Sequence, residues 1–67
     1  MKRDVALKAL DDAFATRIDH MFQNLADSYA GSPNAKAAAQ KHFADGLVFT
    51  RDALAFAEEK IGETFLE

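Results

Sequence analysis

The sequence predicts an all-α fold: an antiparallel helical hairpin that dimerises into a four-helix bundle. Three observations carry this expectation. Large apolar residues recur at helical spacing through both halves of the chain. Fourteen alanines favour helix, and β-branched residues are few. A single strong punctuation mark, Gly31-Ser32-Pro33, divides the chain.

The first helix is expected over about 4–30. Leu7, Leu10, Phe14, Ile18, Met21, Leu25 and Tyr29 follow spacings of 3, 4, 4, 3, 4, 4 and share one stripe. The repeat length is eleven residues, which tracks a nearly straight helix. Asp12, Thr16, Asp19, Gln23 and Asp27 mark the opposite face. Asp4 suits the positive end of the helix dipole. Asp4–Lys8 and Lys8–Asp12 are i,i+4 pairs.

The turn is expected at 31–32. Gly31 follows the last apolar residue, where a left-handed backbone usually ends a helix. Ser32 reads as an N-cap and Pro33 as the first helical position. Helices joined this tightly are antiparallel neighbours.

The second helix is expected over about 33–65. Phe43, Leu47, Leu54, Ile61 and Phe65 form one stripe, with Thr50 and Ala57 in its gaps. Phe49, Ala53 and Phe56 form another, about half a turn away. Its apolar face is therefore wider than the roughly 100° of an ordinary surface helix. Gly46 is the point of doubt. A break there would make a three-helix bundle, but the stripe keeps its phase through Gly46, which favours a continuous helix.

A chain of 67 residues is one small domain and buries little of its surface alone. It has no cysteine, so no disulfide and no cysteine-based zinc site can staple it. Two helices touch along one line and enclose no core. Eighteen large apolar residues follow Met1, six of them phenylalanine. Left exposed, Phe49 and Phe56 would make a sticky patch. A homodimer is the simplest remedy, because closed twofold dimers are the commonest soluble oligomers. Phe43, Gly46, Phe49, Ala53, Phe56 and Ala57 are the expected interface with a second chain. In the hairpin, Glu58, Glu59, Glu63 and Glu67 would lie beside Lys2, Arg3 and Lys8.

No catalytic motif is present: there is no nucleophile–base set and no phosphate-binding glycine loop. The chain is expected to be a non-enzymatic protein that acts through protein–protein interaction, as a homodimeric regulator or adaptor without a cofactor. Its expected partners are a second copy of itself and another helical protein. A second reading is an RNA- or DNA-binding regulator using Lys2, Arg3, Lys8 and Arg17 of helix 1. The net charge of -3 and the intervening aspartates oppose it. A third is a metal-binding bundle through His20, His42 and Asp45, with both histidines about ten residues from the turn. The Glu-x-x-His pairs of di-iron bundles are absent. The N-terminal residues do not read as a signal peptide, and no stretch is apolar enough to span a bilayer. A cytoplasmic location and no membrane role are the default expectations.

Overall fold

The computed structural model describes residues 1–66. All but eight of these are helical, in two elements, α1 (Arg3–Ser28) and α2 (Pro33–Thr64). The two pack as an antiparallel hairpin. Glu67, counted above among the acidic C-terminal group, lies outside the described residues.

The join follows the sequence in one half and departs from it in the other. Ser32 caps α2: its hydroxyl accepts the amide of Ala35 at 3.1 Å, and Pro33 opens the helix. That satisfies one of the amides a helix start leaves unpaired. The end of α1 is different. Gly31 does not adopt a left-handed backbone. The chain instead tightens, with Tyr29, Ala30 and Gly31 donating to Ala26, Asp27 and Ser28, three residues back. Successive i→i−3 bonds occupy the terminal carbonyls, so no left-handed cap is needed. The same tightening ends α1 at Ser28, short of Tyr29 and Ala30.

α2 runs unbroken through Gly46, and the three-helix alternative does not form. Glycine is tolerated here because the helices need the space. A Cβ on Gly46 would lie 2.7 Å from the Met21 Cε. Thr50, one turn on, donates its hydroxyl to the Met21 sulfur at 3.7 Å. Met21 therefore fills the notch between Gly46 and Thr50.

The seam repeats along both helices. On α1 the half-buried residues include Leu7, Leu10, Phe14, Ile18, Met21 and Leu25. On α2 they are Ala39, Phe43, Gly46, Thr50, Leu54, Ala57 and Ile61, with Gly62 beside them and Phe65 just past the helix end. The α2 set carries the same eleven-residue repeat as α1 (Ala39, Thr50, Ile61; Phe43, Leu54, Phe65). Matching periods keep two straight rods in contact from end to end. Leu47, expected on the main stripe, is displaced from the seam by Gly46 and is 38% exposed.

At the open end, Arg3 of α1 donates its Nε to the Phe65 carbonyl at 2.8 Å. α2 has no basic residue in its last turn. Arg3 supplies from the neighbouring helix the cation that the negative end of α2 favours. The expected pairing of Lys2, Arg3 and Lys8 with the glutamates does not form among the described residues. All four ion pairs lie within a helix, and Lys8 takes Asp12, leaving Asp4 to accept the amide of Val5.

The molecule is a thin slab of 50 × 16 × 8 Å. Its radius of gyration is 15.5 Å, against about 11 Å for a compact chain of this length. Among the described residues one side chain, Ala6, is buried.

Candidate functional site

Helical geometry dictates what the seam leaves outside. Each helix has a stripe facing its neighbour, and the residues about 100° to either side of that stripe form two flanks. The flanks differ in character.

On one flank an open groove of about 760 Å³ runs beside the seam. Met21, Ala38, Ala39 and Gly46 are among its lining residues. Arg17, His20 and Asn24 line it from α1, and His42, Asp45 and Phe49 from α2. Phe49 is 71% exposed at the groove's end, and Phe56, two turns further, is 61% exposed. The Lys60 ammonium sits 5.4 Å from the centre of the Phe56 ring, a cation–π contact at the rim.

The second flank was not singled out from the sequence. Phe22 and Leu47 each stand one residue beyond the Met21–Gly46 contact. In antiparallel helices that step carries both to the same side, opposite the groove. Phe22 is 57% exposed, and Tyr29, just past the end of α1, is 52% exposed. The Tyr29 hydroxyl accepts from Gln40 at 3.0 Å, and Lys36 stacks 5.0 Å from its ring. The sequence signal for this flank was slight: Phe22 is the one phenylalanine of α1 off its regular stripe.

The six expected interface residues divide between these surfaces. Phe43, Gly46 and Ala57 are half-buried on the seam against α1. Phe49, Ala53 and Phe56 are exposed.

The candidate metal ligands do not converge. His20 and His42 line the same groove but not the same level. The pairs Met21–Gly46, Tyr29–Gln40 and Arg3–Phe65 set the register. In that register His20 lies opposite residue 48, and His42 is staggered from it by about 9 Å at 1.5 Å per residue. The Asp45 carboxylate is held by Lys41 at 3.0 Å. Asp19 accepts from Gln23. No three-ligand cluster exists among the described residues.

The candidate phosphate-binding residues are scattered. Arg3 is engaged with the Phe65 carbonyl and Lys8 with Asp12. Lys2 sits at the exposed start of α1. Lys8 and Arg17, nine residues apart, point to opposite faces of the helix. Lys8 borders a shallow depression shared with Asp4 and Asp12. No helix is long and apolar enough to cross a membrane among the described residues.

The geometry thus defines a two-helix hairpin with apolar side chains on both flanks. Compared with known proteins, the chain matches no family model, no curated protein and no solved structure.

Proposed function

We propose that this protein is a non-enzymatic helical interaction module that works as a homodimer closing into a four-helix bundle. One observation carries the reading: the hairpin has no interior. It exposes 5050 Å², where a compact monomer of 7.4 kDa would expose about 4200 Å². Two free copies expose twice the observed area, whereas a compact body of their combined mass exposes roughly 7000 Å². Closure would bury about 3000 Å² in total, the range of obligate dimers. The apolar residues needed for such a contact are already outside, with Phe49 and Phe56 foremost.

The dimer covers the groove flank. The other flank, with Phe22, Leu47 and Tyr29, is left for an amphipathic helix of a second protein. That arrangement suits a small regulator or adaptor.

Sedimentation velocity over a concentration series tests the reading. The expected species has twice the mass of the chain. Phe49→Lys with Phe56→Lys shifts it to monomer, because each copy would then bury two charges in an apolar contact. A wild-type chain that stays monomeric when concentrated, yet unfolds cooperatively, overturns the proposal.

A further inference from the structure

The exposed flank of α2 is graded in size along its length, and the grading orients a second copy. Ala35, His42, Phe49 and Phe56 recur at seven-residue intervals. Seven is the period of a coiled-coil seam, distinct from the eleven-residue period that faces α1. The half near the turn carries Ala35, Ala38 and Ala39 and lines the open groove. The far half carries the exposed rings of Phe49 and Phe56. A second α2 laid parallel would set ring on ring at one end and alanine on alanine at the other. The first end crowds and the second leaves a void, and protein interiors tolerate neither. Laid antiparallel about an axis near Leu47, Phe56 falls over Ala38 and Ala39, and Phe49 falls beside Asp45 near the axis. The large end of each helix then meets the small end of the other.

We infer that the groove of each hairpin is filled by Phe56 of a second copy, in a twofold antiparallel pairing of α2 with α2. This rests on the homodimer proposed above and adds its geometry. The second copy is the fitting occupant because knob and hole lie on one helix flank. A twofold operation brings each to the other, the condition for an isologous interface. Closing the slab also buries the area that a stable dimer needs. Asp45, the acid nearest the axis, is already paired with Lys41, so the approach does not bring two bare carboxylates together.

A size exchange in the full chain tests this, read as the dimer dissociation constant by sedimentation equilibrium, with helicity by circular dichroism as the folding control. Phe56→Ala weakens the dimer by about a hundredfold, since each loss counts twice. Ala38→Phe weakens it by about tenfold through overpacking. The double variant A38F/F56A returns to within about tenfold of wild type, because ring and cavity have exchanged places. If A38F lowers helicity, Ala38→Leu with Phe56→Ala serves instead. A double variant as weak as Phe56→Ala alone overturns the antiparallel seat, as does a dimer indifferent to Phe56→Ala; both leave the homodimer standing. A wild-type chain that is monomeric overturns the homodimer, and the geometry with it.

Discussion

Two glycines in one helix allow the seam to be measured. Gly46 and Gly62 both lie within α2 with helical backbone, so a side chain strains neither. They differ in what an added methyl would meet. At Gly62 there is nothing within 4 Å. At Gly46 the new Cβ would stand 2.7 Å from the Met21 Cε. Glycine costs about 0.8–1.0 kcal/mol against alanine in a helix interior. Gly62→Ala should recover about 0.5–1 kcal/mol, trimmed because the helix ends two residues on. Gly46→Ala gains the same propensity but must move the Met21 methyl, at about 0.5–1.5 kcal/mol for an off-rotamer side chain. The shift also loosens the Thr50 hydroxyl on the Met21 sulfur. The two effects nearly cancel, leaving Gly46→Ala between about 0.7 kcal/mol less stable and about 0.5 kcal/mol more stable than wild type. Thermal unfolding followed by circular dichroism resolves such differences, since 1 kcal/mol moves Tm by about 4–8 °C in a domain this small. All variants are compared at one protein concentration, because self-association stabilises by mass action. A Gly46→Ala variant as stabilised as Gly62→Ala would refute the reasoning, because the helices would then not approach closely at Gly46.

Other perturbations separate the contacts that matter from those that do not. Ser32→Ala should cost about 1 kcal/mol by freeing the Ala35 amide, and Ser32→Asp should largely preserve stability, both read by urea unfolding. Arg3→Ala should lower hydrogen-exchange protection at the end of α2 and destabilise by about 0.5–1.5 kcal/mol; Arg3→Lys should not fully rescue it, since the bond is made by the guanidinium Nε. Asp12→Ala should change stability by less than about 0.5 kcal/mol, because its pair with Lys8 is solvent-exposed. Equimolar zinc should leave Tm unchanged in both the wild type and a His20→Ala/His42→Ala variant, as the two rings are staggered in the groove; a zinc-dependent rise abolished in the variant would show that they meet.

The two helices, their order and their join were legible in the residues. Helical periodicity is local, and so is the capping chemistry of Ser32 and Pro33. Each depends on neighbours within a turn, so composition and spacing are enough to place them. The same locality explains why α2 was readable as continuous: an apolar phase that survives Gly46 needs no knowledge of another helix. Gly31 shows the limit even at short range. Its residue type suits a left-handed cap, but bonds from Tyr29, Ala30 and Gly31 to carbonyls three residues back had already occupied the helix end.

What the sequence by itself determined, then, is the pair of rods and the excess of apolar side chains on α2. Only the tertiary structure decided which of those side chains face α1. That choice depends on how far each rod is rotated about its own axis, and the rotation is set by contacts between residues distant in sequence. Met21 seated over Gly46 turns Phe43 and Ala57 toward the seam, pushes Leu47 aside and leaves Phe49 and Phe56 outside. The Arg3–Phe65 bond, the stagger of His20 against His42 and the apolar flank of Phe22 follow from the same rotation and register. No window of adjacent residues contains that information.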